Sequence, residues 1–167
     1  MKMRKLLVLL FGALILVATH YSIFSREDLL AHGQLVLLRL APVDPRSLMQ
    51  GDYMELRFDI ANDLRKVLAD EVSTDGNVVV AVSEDGVAEF ARIDNGSALA
   101  PGERLMQFRL RNRKVMFATN AFFFEEGTAY IYSQARFGEF RVGRDGEAIL
   151  THLRTDDLQR LGAGWAG

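Results

Sequence analysis

Cysteine is absent from the 167 residues, proline occurs three times, histidine three times and tryptophan once. Without cysteine the chain holds no disulfide, no thiolate-bound zinc or iron–sulfur cluster and no thiol nucleophile. His20, His32 and His152 include no close-spaced pair, so a histidine-built metal site is not expected either. A G-x-S-x-G elbow, a P-loop and a G-x-G-x-x-G fingerprint are also missing, and no cofactor is expected. The formal net charge is only −2, which gives no polycationic footprint for nucleic acid. What remains is a chain with 49% hydrophobic and 25% charged residues, long enough for one domain of ordinary size.

One long apolar run is present. Lys2, Arg4 and Lys5 precede Leu6 to Ala18, a stretch without a polar side chain. Counted on to Phe24 it spans about 28 Å as a helix, just enough for a bilayer core. Val17-Ala18-Thr19 and Ile23-Phe24-Ser25 are poor cleavage sites, so residues 6–24 read as an uncleaved anchor in the lipid bilayer. Three cations before the run and no acid there hold the N-terminus in the cytoplasm by the positive-inside rule. Of 20 basic residues 17 follow those three, against all 22 acids, so the exported part carries −5. The expected organisation is an anchor at 1–25, a linker at 26–33, a β-rich domain at 34–158 and a flexible tail at 159–167.

The exported part reads as mainly β (α+β), with one or two short helices. Gln34 to Leu40 predicts a buried strand, ended by Pro42. Asp44-Pro45-Arg46-Ser47 is turn chemistry, and Leu48 to Gln50 predicts one helical turn closed by Gly51. Tyr53 to Ile60 alternates, with Met54, Leu56, Phe58 and Ile60 on the apolar side, which predicts a half-buried strand. Ala61 to Glu71 has Leu64, Val67 and Leu68 at helical spacing. Three hairpins follow: Asn77–Ser83 with Val87–Ile93, Arg104–Arg111 with Lys114–Thr119, and Phe137–Val142 with Glu147–Leu153. Gly127 to Ala135 is the second helical candidate.

Pro42 to Tyr53 is the densest cluster of special residues. Its structural reading has Gly51 in a positive-φ turn, Asp52 capping it and Tyr53 opening a strand. Its functional reading makes Asp44, Arg46 and Asp52 a polar binding rim. Arg109, Arg111 and Arg113 alternate along a predicted strand, as a solvated face or a contact for anionic headgroups. Phe122-Phe123-Phe124-Glu125-Glu126-Gly127 reads as aromatic core followed by an exposed turn, with too few oxygen ligands for calcium.

Gly51-Asp52-Tyr53-Met54-Glu55-Leu56-Arg57-Phe58 resembles the signature of the GDYXXLXY family of bacterial membrane-anchored proteins. The final position holds Phe58 where the signature has Tyr. Pro42-Val43-Asp44-Pro45-Arg46 looks like the family's lead-in. Glu126-Gly127 and Gln134-Ala135-Arg136-Phe137-Gly138-Glu139-Phe140-Arg141-Val142 are similar to its second block. The resemblance singles out Asp44, Pro45, Arg46, Gly51, Asp52, Tyr53, Leu56, Phe58, Glu126, Gly127, Arg136 and Gly138 as motif or binding positions. It implies one transmembrane helix in the bacterial inner membrane and a periplasmic domain. Members are often encoded beside polytopic membrane proteins, which implies an envelope complex.

A remoter likeness is to serine–lysine signal peptidases. Ser47-Leu48-Met49-Gln50-Gly51-Asp52 resembles the T-L-x-x-G-D half of their motif, with Val43 at the nucleophile position. Glu89 to Ile93 looks like their lysine strand but puts Ala91 at the lysine. A Ser–Lys mechanism needs a hydroxyl and a base of depressed pKa, and both are missing in that register. The leading expectation is therefore a non-enzymatic accessory or binding subunit docking a polytopic membrane protein. The alternatives are an envelope hydrolase, a degenerate signal-peptidase-like protein, or a ligand-binding sensor.

Overall fold

The computed structural model describes residues 2–41, 49–50, 53–69, 71–72 and 74–162. Helix α1 runs unbroken over Lys2–His32. The stretch expected to be a linker is thus helical as far as His32. Glu27, Asp28, Leu29, Leu30 and Ala31 contain no breaker, and His32 Nδ1 meets Asp28 Oδ1 one turn back at 2.8 Å. The helix stops at Gly33, whose N–H donates to Leu29 O at 2.8 Å. A Cβ there would collide with that same oxygen, so only glycine fits.

Strand β1 (Gln34–Arg39) starts at once and becomes an interior strand of the main sheet. β2 (Met49–Gln50) and β3 (Tyr53–Glu55) pair antiparallel, so Met49 and Gln50 are strand rather than the expected helical turn. The gain of a partner strand outweighs the local turn preference. Helix α2 (Asp59–Val67) buries Ile60 and Leu64. Its last turn is tied down by Arg65, which donates to Leu68 O at 2.9 Å and Ala69 O at 2.7 Å. The remaining elements are β4 (Thr74–Val82), β5 (Val87–Ile93), β6 (Glu103–Arg111), β7 (Lys114–Met116), β8 (Ala121–Phe123), α3 (Ala129–Tyr132), β9 (Phe137–Val142), β10 (Ala148–Arg154) and β11 (Arg160–Leu161). All three expected hairpins are present.

Eight strands form one mixed sheet in the order β11-β10-β9-β1-β5-β4-β6-β7. β1 lies parallel to β5 and antiparallel to β9. The turn between β9 and β10 reaches the free edge of β6, where Gln107 N–H donates to Gly146 O at 2.8 Å. Gly146 has φ +85°, and its missing side chain admits the Met106 and Gln107 nitrogens at 3.2 Å from the Cβ position. The sheet therefore curls around a core that includes Val36, Leu38, Phe108, Phe117, Phe140 and Leu153. β2, β3 and β8 make a second, three-stranded sheet.

The segment expected as one long strand, Tyr53 to Ile60, leaves strand geometry after Glu55. Its alternation survives all the same: Met54, Leu56, Phe58 and Ile60 are each at most 5% exposed. Leu56 N–H donates to Asn120 O at 2.6 Å, and Phe58 bridges to Leu40. The chain passes from the small sheet to the large one while keeping the same face inward. At the other end, Arg160 and Leu161 pair with Arg154 and Leu153, so the expected flexible tail is strand at these two positions. Ala163 to Gly167 lie outside the described residues.

Candidate functional site

Tyr53 sits in the middle of the small sheet, opposite Phe123 on β8. Their rings approach to 5.7 Å between centroids. Phe122, next along β8, points inward and is fully buried against Tyr132, whereas Phe123 points out and is 55% exposed. The period of two in a strand sends the two rings to opposite faces, and of these only the Phe122 face is covered. A shallow groove of about 510 Å³ runs beside Tyr53 and Glu55, with Lys114, Met116, Thr119 and Asn120 along its other side. Glu55 is held toward Arg57, Oε1 to Nε at 3.6 Å. The Tyr132 hydroxyl is pushed above its ordinary pKa by burial and by the Glu125 charge, so it stays protonated.

The two blocks of the signature meet in the core. Phe58 packs edge-on against Phe140 at 5.4 Å and Phe117 at 6.4 Å. Gly138 lies directly against it: a Cβ there would stand 2.9 Å from Phe58 Cε1 and 3.1 Å from Phe140 Cε2. Leu40 N–H donates to Arg136 O at 2.8 Å, and Ala41 N–H to Arg57 O at 2.8 Å, which stitches the blocks across the end of β1. Leu56, Phe58 and Gly138 are therefore packing positions. Arg136 is exposed and uses Nη1 to cap Ala135 O at 2.8 Å. Glu126 and Gly127 occupy an exposed turn, with Gly127 at φ +81°. Asp44, Pro45, Arg46, Gly51 and Asp52 lie outside the described residues, and with them the polar-rim reading.

A third constellation was not singled out from the sequence. Glu139 on β9 is fully buried and accepts hydrogen bonds from Arg154 Nε at 2.6 Å, Arg160 Nη2 at 2.7 Å and Arg160 Nε at 2.9 Å. Burial pushes its carboxyl up, but hydrogen bonds from Arg160 and Arg154 outweigh burial and hold the pKa at about 2. His152 Nδ1 lies 3.8 Å from Glu139 Oε1. Burial and then the Arg160 charge push that imidazole below its ordinary pKa. The strand Phe-Gly-Glu-Phe-Arg-Val gives one signal of this: a carboxylate in register with apolar neighbours on both sides. Its partners come from β10 and β11, too far along the chain for spacing to reveal.

Of the arginine stripe, Arg109 and Arg111 lie exposed on β6, while Arg113 is in the turn with φ +64°. Arg111 is paired with Asp75, Nη1 to Oδ1 at 2.6 Å and Nη2 to Oδ2 at 2.8 Å. Among the described residues no group of three His, Asp or Glu side chains is placed to hold a metal ion.

A family model described as GDYXXLXY protein matches residues 15–153. The chain belongs to the GDYXXLXY family. No curated protein and no solved structure matches it. The likeness to serine–lysine signal peptidases is unsupported, and the strand aligned with their lysine, Glu89 to Ile93, is β5, lying between β1 and β4. In this GDYXXLXY protein the signature divides by depth: Leu56 and Phe58 go to the core, and Tyr53 is half-buried beside exposed Phe123.

Proposed function

We propose that the chain is a membrane-anchored, extracytoplasmic binding subunit of a bacterial envelope complex, which docks a polytopic inner-membrane protein through the Tyr53–Phe123 face. α1 is long and apolar enough over Leu7–His32 to cross a membrane, and its most apolar window is wholly unburied. The three cations before it favour a cytoplasmic N-terminus and an exported domain. The observation that carries the docking role is Phe123. A phenylalanine left 55% exposed on the strand paired with the family signature gives up about 1 kcal/mol or more of burial that a partner would recover. The fixed Tyr53 ring beside it adds an amphipathic contact of low entropic cost.

A mild-detergent pull-down tests this with full-length protein, the anchor alone and full-length Phe123→Ser. The full chain retains an integral membrane protein, the anchor alone loses it, and Phe123→Ser loses it with the melting temperature nearly unchanged. Equal retention by Phe123→Ser and the parent would overturn the assignment of this face, and equal retention by the anchor alone would overturn the role of the domain.

A further inference from the structure

The continuity of α1 fixes the height of the domain above a membrane. The apolar stretch ends at Phe24, and Leu29, five residues on, is the one side chain buried in the domain among those described for α1. At 1.5 Å per residue that is about 7.5 Å of rise. A headgroup layer is roughly 5–7 Å thick on each side of a 30 Å core. No break in α1 precedes Gly33, whose N–H donates to Leu29 O at 2.8 Å and whose carbonyl accepts from Arg141 Nη1 at 3.1 Å, tying the helix end to β9.

Two turns stand at this height. A cleft of about 1020 Å³ is lined by Ser25, Asp28 and Leu29 of α1, by the segment around Leu99 and Pro101, and by the turn around Arg144. The first turn is rigid. Pro101 occupies its second position, Gly102 has φ +85° at the third, and Glu103 N–H donates to Ala100 O at 2.9 Å, a type II turn. It holds out Leu99, 40% exposed, beside exposed Ala98, Ala100 and Pro101. Several acids on this side are engaged locally. Glu103 accepts from Arg92 and Ala100 N–H, Asp145 from Glu147 N–H, and Asp28 pairs with His32. Arg26 and Arg144 are exposed and have no hydrogen bond or ion pair among the described residues. Glu27 and Glu147 offset their charge, so the apolar turn carries the contact.

We propose that the Ala98–Gly102 turn rests in the outer-leaflet interface, with Leu99 at the boundary of headgroups and acyl chains and Arg144 at phosphate level. The domain is then held in one orientation against the bilayer by two points, α1 and this turn. This rests on the reading of α1 as a membrane span.

The absence of cysteine makes single-site labelling clean. Full-length Leu99→Cys, Arg144→Cys, Asp157→Cys and Leu14→Cys variants would carry an environment-sensitive fluorophore in phosphatidylcholine–phosphatidylglycerol vesicles, with and without brominated acyl chains; exposed Asp157 follows β10 at the end of the sheet opposite Gly33. The Leu14 probe reports the anchor. The Leu99 probe shifts to the blue and loses most of its emission on brominated lipid, Arg144 shows a smaller loss, and Asp157 shows none. A water-like, unquenched Leu99 probe alongside a quenched Leu14 probe would overturn the proposal and leave the span intact. An unquenched Leu14 probe would overturn the span and, with it, the proposal.

Discussion

Glu139 has no route to solvent, and two guanidinium groups take the place of its water. Its folded pKa of about 2 lies below the ordinary 4.5, so its stabilising contribution is complete above pH 4.5 and is lost as pH falls toward 2. The size is about 3 kcal/mol. His152 acts in the same sense at higher pH: its folded pKa is depressed, so acidification through its ordinary 6.5 favours the unfolded chain. Thermal melts from pH 7 to pH 3 will show stability falling in two stages, first by His152 and then by Glu139. Glu139→Gln will cost about 3–5 kcal/mol at pH 7, because it leaves Arg154 uncompensated, and its melts will lack the lower stage. At Gly138 the cost is steric. Gly138→Ala will destabilise by about 1–3 kcal/mol, since a methyl group meets Phe58 and Phe140 at once. Adding Phe58→Leu will return part of that loss, a coupling that a double-mutant cycle in urea will measure.

Elements legible in the sequence are those whose signals are local. Glu84-Asp85-Gly86, Asn112-Arg113 and Gly143 to Gly146 each mark a hairpin by turn chemistry, and each one forms. The Asn112-Arg113 turn has both central residues at positive φ, 49° and 64°, the geometry that suits glycine at the second position. Arg113→Gly will therefore raise stability by up to about 1 kcal/mol in chemical denaturation, without changing the spectrum of the native state. Less legible were elements decided by distant partners. β2 and β11 are two residues each and exist through pairing with β3 and β10, which neither propensity nor periodicity announces. Tyr53 to Ile60 had the right face but the wrong extent, because side-chain alternation outlasts the strand as the chain changes sheets. The charged stretch after Phe24 looked like a link; helix propensity and the absence of a breaker before Gly33 made it the end of α1.

For the whole molecule, the site was legible in part. The signature located Tyr53, but its outward neighbour Phe123 emerges only from the β3–β8 register, which joins positions seventy residues apart. Likewise Phe58 and Gly138 carried the family resemblance separately, and their contact explains why one demands the other. On the proposed reading the domain has two surfaces of different use: one toward the lipid through α1 and Leu99, the other presenting Tyr53 and Phe123. This second face is proposed to engage an integral membrane protein in the envelope. A photo-crosslinking residue at Phe123 in full-length protein, irradiated in intact cells, tests it most directly, with the same residue at exposed Glu84, which lines a different cleft, as control. A light-dependent adduct from position 123 to one polytopic membrane protein is expected, and none from position 84. No adduct from 123, or the same adducts from both positions, would contradict it.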